Sequence, residues 1–326
     1  MSEGNGNSNT PAEVMEPRFA PPPPPPPLPH GVRRTRRPLR WIPLLLFFLT
    51  VLSTMLIGTH YALAYDSNRA PFSPEDPIFP PVISEPALLL TGLPFSFTLL
   101  GILLAHELGH YFACRYYRIS ATLPYFIPFP SIIGTLGAFI RIRSPIVNRK
   151  ALFDVGLSGP VVGFLFAVPA LVIAVLFSKV VPGAQAESAI NFGDPPLFHL
   201  LTAWLRPDVP EANLLLHPVG RAAWVGLFAT ALNLLPAGQL DGGHIVYALT
   251  SRHHRRISVL VALLIAPLGF FWAGWLLWAA LLLLFGFRHP VLLDRYDRID
   301  AKRRLWALAA LVIFLLCFTP MPLSQQ

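Results

Sequence analysis

The stretch LLGILLAHELGHYFACRYY, residues 99–117, decides how this chain is read. It has the apolar character of a membrane-crossing helix, yet His106, Glu107 and His110 lie inside it. About 20 apolar residues span a bilayer. A charged group at the centre of such a span costs roughly 2.5–3.5 kcal/mol on insertion scales, and a chain that keeps ionisable groups there uses them for chemistry or transport.

The rest of the sequence supports a membrane setting. Of the 326 residues, 54% are hydrophobic and only 13% charged, against about 25% charged in soluble domains, and the mean hydropathy is +0.55. Apolar runs near residues 41–63, 95–117, 151–178, 219–240, 257–269, 271–287 and 304–319 predict an all-α polytopic membrane protein with six to seven transmembrane helices. The count turns on the fifth and sixth runs. They form either a tight helical hairpin broken at Pro267-Leu268-Gly269 or a single tilted span. Cys114 and Cys317 lie far apart in apolar runs, so they supply no disulfide framework and read as packing residues.

Basic residues orient the chain. With the N-terminus in the cytoplasm, all but four of the 25 Lys and Arg fall on cytoplasmic segments; the exceptions are Arg69, Lys179, Arg206 and Arg221. This positive-inside asymmetry accounts for the net charge of +8 without nucleic acid as a partner. Seven spans then place the C-terminus outside. The compartment expected is a bacterial plasma (inner) membrane, with the reactive residues toward the cytoplasmic side.

Residues 1–40 read as a disordered Pro/Arg-rich cytoplasmic tail. They contain Pro21 to Pro27, which favour polyproline II, and the basic stretch Arg33-Arg34-Thr35-Arg36-Arg37. The proline tract makes a semi-rigid tail and offers a docking site for a partner. Glu3, Glu13 and Glu16 argue against an organelle transit peptide, and the late first apolar run reads as a signal anchor. The expected organisation is therefore the tail, a signal-anchor helix with an external loop over 41–86, an intramembrane core over 87–250 and C-terminal transmembrane helices over 251–326.

His106-Glu107-Leu108-Gly109-His110 is an HExxH motif. Residues four apart share a helix face, so both imidazoles can bind one zinc ion per chain. Glu107 is then placed to serve as general base toward a metal-activated water. A hydrolytic zinc site takes three protein ligands and keeps one position open. Candidates for the third are Asp154, Asp241 and His244. Asp154 opens the third run, where the plain reading is a helix cap. The stretch NLLPAGQLDGGH, residues 233–244, is more telling, because Pro, Gly and Asp at the end of an apolar run predict a broken helix that turns a carboxylate inward. In the N-in topology the second and fourth runs cross in the same direction, and His110 and Asp241 both fall near their inner ends.

Between the second and third runs lies LPYFIPFPSIIGTLGAFIRIR, residues 123–143. Its prolines forbid a long helix and its second half partly alternates. A re-entrant loop or β-hairpin on the cytoplasmic side is predicted, able to add a substrate strand by edge pairing.

On these residues the chain resembles the site-2 protease family of intramembrane zinc metalloproteases. His106–His110 and an N-x-x-P-x-x-x-x-D-G pattern over 233–242 carry the resemblance. Gly134-Thr135-Leu136-Gly137 and Ser158-Gly159-Pro160 are also similar to family segments, and residues 134–163 resemble its chloroplast and bacterial subgroup without PDZ domains. The likeness covers roughly residues 87–250. The external segment 179–220 is too short for the PDZ domain of many bacterial relatives. The resemblance implies that His106, His110 and Asp241 hold zinc, that Glu107 is the base and that Asn233 orients substrate or stabilises the oxyanion. It implies hydrolysis of peptide bonds in membrane-spanning substrate proteins, that is, regulated intramembrane proteolysis.

Other classes make distinguishable predictions. A zinc transporter would use His and Asp along a pathway, and transporters often repeat their binding segment, whereas HExxH occurs once here. An inactive membrane chaperone or scaffold relative usually lacks a ligand or the glutamate, and this chain has them all. A membrane protease for prenylated peptides expects a downstream glutamate ligand, but after Glu107 only Glu187 and Glu211 remain, both on the external side.

Overall fold

Proline and glycine divide the apolar sequence into helices of unequal length. A computed structural model describes residues 41–72, 81–183, 190–285, 292 and 298–325. The tail read over residues 1–40 lies outside the described residues, as do Glu187, Arg288 and Arg295.

Helix α1 runs Ile42–Asp66, with a proline in its first turn, where the missing N–H costs nothing. A 3₁₀ turn, Pro86–Gly92, leads into α2, Leu93–Tyr116, which carries the HExxH motif. Helix α3, Arg149–Phe177, is capped by Asn148, whose side chain accepts from the Ala151 amide at 2.8 Å. The cap expected of Asp154 is therefore made six residues earlier, and Asp154 lies within the helix. These three helices are long and apolar enough to cross a membrane.

The other apolar runs also form helices, but shorter ones. They are α5 (Pro218–Leu234), α7 (His254–Ile265), α8 (Gly274–Phe285) and α9 (Ala301–Cys317). Among the described residues, then, three helices meet the length of a full span where six to seven were expected. The physical reason is local. Residues 235–240, with Pro236 and Gly238, end the fourth helix early, and a 3₁₀ turn at Ala266–Phe270 divides the fifth run from the sixth. Ala262 and Ile265 pack with Trp275 and Ala279 in one buried cluster. The fifth and sixth runs thus form a hairpin rather than one tilted span.

Between α2 and α3, β1 (Tyr125–Pro128) and β2 (Thr135–Phe139) pair antiparallel as a β-hairpin, with Phe126 opposite Ala138 and a register shift after Ile127. Its turn is held against α1. Ser53 donates to the Gly134 carbonyl at 2.6 Å and the Tyr61 hydroxyl to the Ile132 carbonyl at 3.0 Å. Gly134 has φ +83°, and a Cβ there would fall 2.8 Å from the Ser53 carbonyl oxygen, so only glycine fits. The segment after α3 holds β3 (Lys179–Val180), β4 (Ile190–Phe192), α4 (Pro196–Leu205) and β5 (Leu214–Leu215); β3 pairs with β5, and β4 with β6 (Leu323–Gln325). Cys114 and Cys317 are buried free thiols, in keeping with a packing role.

Candidate metal centre

The HExxH helix is buried against α3 through small residues. A Cβ at Gly109 would lie 2.6 Å from the Ser158 carbonyl oxygen, so the two backbones touch. One face of α3 presents Gly159 to the His110 ring and Gly163 to His106; a Cβ at Gly159 would fall 2.1 Å from His110 Nε2. Glycine at these positions makes the room that two imidazoles need between packed helices.

The third group arrives by the predicted break in the fourth run. After Leu234 the chain leaves the helix, and Asp241 opens α6, Asp241–Leu249. Its carboxylate meets both rings. His106 Nε2 and His110 Nε2 are each 3.3 Å from Asp241 Oδ2 and 3.1 Å from one another. The two histidines are buried and the Asp241 side chain is largely so.

These distances test whether the cluster suits a metal. A tetrahedral zinc ion with ligands at about 2.0–2.1 Å separates its donor atoms by roughly 3.3–3.4 Å, close to the spacing of this near-equilateral triangle. The chemistry agrees. His110 Nδ1 lies 2.7 Å from the Val155 carbonyl, which can only accept, so Nδ1 carries the proton and a neutral ring turns its Nε2 lone pair to the cluster. Two imidazole nitrogens and a carboxylate oxygen pointing at one spot make a donor set for a cation. Among the described residues, this is the group of His, Cys, Asp and Glu whose atoms converge in this way.

The remaining predicted residues fall beside it. Glu107 is buried. Its carboxylate lies near the backbone of Ile140, the residue after β2. Asn233 Nδ2 sits 3.3 Å from His106 Nε2. A cavity of about 170 Å³ opens at this point, lined by His106, Glu107 and Asn233 and by Leu136, Gly137 and Ala138 of β2.

The two other candidates for the third position are elsewhere. Asp154 is taken by α9 and by the end of α2. Arg303 Nε and Nη2 donate to its two oxygens at 2.8 and 2.5 Å, and the Tyr117 hydroxyl donates at 2.5 Å. His244 follows Asp241 on α6 and stands against α3, where a Cβ at Gly156 would come within 2.8 Å of its own Cβ. Sequence reasoning missed the Val155 carbonyl, which has no side-chain signature. It saw Gly159 only as part of a family segment, not as the space for a ring.

A buried HExxH helix, a carboxylate from a broken helix and an adjoining cavity in an apolar helical bundle define the class: an integral membrane protein with a zinc-hydrolase type of centre. Residues 94–273 match the model of peptidase family M50. The chain belongs to that family, the site-2 proteases, whose metal is zinc.

Curated relatives agree. The chain is 34% identical over 221 residues to "Probable zinc metalloprotease EGY1, chloroplastic" of Arabidopsis thaliana, a match over 63% of this chain and 39% of that protein. To the protein of the same name from Oryza sativa subsp. japonica it is 29% identical over 250 residues, 71% of this chain and 42% of the relative. To "Probable zinc metalloprotease EGY2, chloroplastic" of Oryza sativa subsp. indica it is 31% identical over 200 residues, 57% and 35%. The chain spans about two fifths of the length of these relatives. No solved structure matches it.

Proposed function

We propose that this chain is a zinc-dependent endopeptidase that hydrolyses peptide bonds of membrane-spanning substrate proteins, the chemistry of regulated intramembrane proteolysis. One observation carries the reading. Three metal-ligating atoms, 3.1–3.3 Å apart, adjoin a buried glutamate at the wall of a cavity edged by a β-strand. In this reading His106, His110 and Asp241 hold zinc, Glu107 is the general base and Asn233 orients the reacting carbonyl. Zinc, when bound, supplies Lewis acidity toward that carbonyl and makes a water molecule acidic enough to ionise near neutral pH. Glu107 takes the proton and passes it to the leaving nitrogen. Val155 keeps the His110 ring in the tautomer and orientation the ligand role requires.

A helical substrate hides its carbonyls in its own hydrogen bonds and has to unwind before attack. Strand β2 supports an extended substrate. It pairs with β1 on one side and lines the cavity on the other, and the space above Gly137 is open. A substrate strand adds there by edge pairing, within reach of Glu107.

The basic residues support an N-terminus on the cytoplasmic side, with α5, the α7–α8 hairpin and α9 completing the six to seven crossings. The bacterial plasma membrane is a reading of this chain alone, and the chloroplastic names of the relatives above do not fit it. A partner for the proline-rich tail is likewise a reading of composition.

The deciding experiment is Glu107→Gln in a cell that co-expresses a membrane substrate. Zinc content and folding stay as in the wild type and cleavage disappears. Cleavage at the wild-type rate would remove Glu107 as the base. Zinc flux in proteoliposomes that persists in the variant would replace the protease reading with transport.

A further inference from the structure

We propose that His254 and Ser258 of α7 are positioning residues that fix the Asp241 carboxylate through the backbone of Gly238. The proposal rests on the assignment of Asp241 as a zinc ligand.

Asp241 is the one group of the centre that does not stand on a long helix. It opens α6, so its position is set by residues 235–240. That loop makes little regular structure of its own: the Ala237 amide donates to the Leu235 carbonyl at 2.7 Å and the Leu240 amide to the Ala237 carbonyl at 3.3 Å. At Gly238 the backbone takes φ +60° and turns both of its polar groups toward α7. Its N–H donates to Ser258 Oγ at 3.1 Å, and its carbonyl lies 3.1 Å from His254 Nε2.

The proton accounting closes. A carbonyl only accepts, so His254 Nε2 carries the hydrogen and donates it. Ser258 Oγ gives its own proton to the His254 carbonyl at 3.0 Å, which leaves its oxygen free to accept from Gly238. Residues four apart share a helix face, and both side chains are 2% exposed. Both side chains of this buried pair bond the backbone of one glycine.

Gly238 is in turn wedged against α6. A Cβ at Gly243 would fall 2.4 Å from the Gly238 carbonyl oxygen, and one at Gly242 2.1 Å from that of Leu234. Loop and first helical turn touch backbone to backbone, so a displacement of Gly238 is passed to Asp241, three residues on. Groups that orient zinc ligands from behind typically matter 10–100-fold in metal affinity. A role of α7 in packing alone would not depend on the hydrogen-bonding capacity of these two side chains.

The test uses the full chain in detergent micelles. Zinc affinity is measured by competition with a chromophoric chelator and thermal unfolding is followed in parallel. His254→Ala and Ser258→Ala are expected to weaken zinc binding about 10–100-fold while the protein stays folded. His254→Gln, which keeps a side-chain N–H donor, recovers most of the loss. Leu260→Ala, on the exposed side of α7, leaves affinity unchanged. Wild-type affinity in both alanine variants, or a glutamine variant no better than alanine, overturns the proposal. If His254→Ala does not fold, Ser258→Ala decides alone. Asp241→Ala separates the two levels: if it too binds zinc normally, the ligand assignment itself fails, whereas zinc loss there with normal binding in the α7 variants rejects only the positioning role.

Discussion

Gly159→Ala turns the packing of α3 against the HExxH helix into a number. The added methyl would sit 2.1 Å from His110 Nε2, 2.5 Å from Cε1 and 2.6 Å from Cδ2. Ordinary contact between such atoms is about 3.5 Å, so ring and helix have to separate by about 1.4 Å. The ring has no slack to give: its Nδ1 is tied to the Val155 carbonyl at 2.7 Å, and its Nε2 belongs to the donor triangle. Zinc–ligand bonds tolerate about ±0.2 Å. The displacement is several times that tolerance and removes His110 from the coordination sphere, with a loss of at least about 100-fold in zinc affinity, the upper end for disturbing a ligand's orientation. Gly163→Ala is the graded companion. Its methyl meets His106 Cβ and Nδ1 at 3.1 Å, a gap that a few tenths of an ångström relieve, so the loss stays below about 10-fold. Alanine is the better helix former by about 1 kcal/mol, and circular dichroism should show helicity kept in both variants. Chelator competition on purified protein reads the affinities. A Gly159→Ala protein that binds zinc as the wild type does, or a Gly163→Ala protein that suffers more than Gly159→Ala, would refute the reasoning.

Two further outcomes follow from the site and from its surroundings. Asn233→Ala should retain zinc and lower kcat on the order of 10²-fold, the cost of one donor to a developing oxyanion, with a smaller change in KM; a pure KM effect in steady-state cleavage of a detergent-solubilised substrate would assign Asn233 to binding instead. Asp194, in the loop between β4 and α4, is pushed up to about 6, mainly by burial, against the pull of Arg221 and His199. The folded state therefore holds this proton more tightly than the unfolded chain, and stability falls as pH rises from about 4 to about 6. Asp194→Asn, which mimics the protonated acid, should flatten that part of the curve and raise Tm at pH 8 without changing it at pH 4. A slope that survives the substitution in thermal unfolding would place the linkage on another group.

How much of this centre was legible in the sequence depends on how far each interaction reaches. His106 and His110 are set by a helical period of four, so their spacing announces their convergence, and Glu107 follows from its place between them. Asp241 was legible for a different reason. Pro236 and Gly238 foretell a break, and the charge asymmetry puts that break at the level of His110. Neither argument could exclude Asp154, because an aspartate near the start of an apolar run reads alike as a cap or a ligand. Only the coordinates show Asn148 taking the cap and Arg303, about 150 residues away, occupying both carboxylate oxygens. The prolines and alternation pointed to a re-entrant loop or a β-hairpin, but the seat of the hairpin against α1 at Ser53 and Tyr61 was not legible, since a serine and a tyrosine in a spanning helix give no sign of the backbone they will bond. The lengths of the individual helices were not legible either. Hydropathy measures how apolar a run is, whereas the lengths of α5, α7 and α8 were decided by a few turn residues inside those runs.

What escaped the sequence has a common physical character. The Val155 carbonyl, the pocket left by Gly159 and the pair His254 and Ser258 all act through backbone groups or through the absence of a side chain. Such features carry no residue-type signal, yet they determine whether three donors meet within a few tenths of an ångström. A His and a Ser four apart at the polar end of an apolar helix look like an interfacial turn until a hydrogen bond of each is traced to the glycine three residues before the aspartate. In an apolar bundle every buried polar side chain has to be accounted for by a partner. Tracing those partners is therefore the way to find the residues that shape a metal centre without touching it.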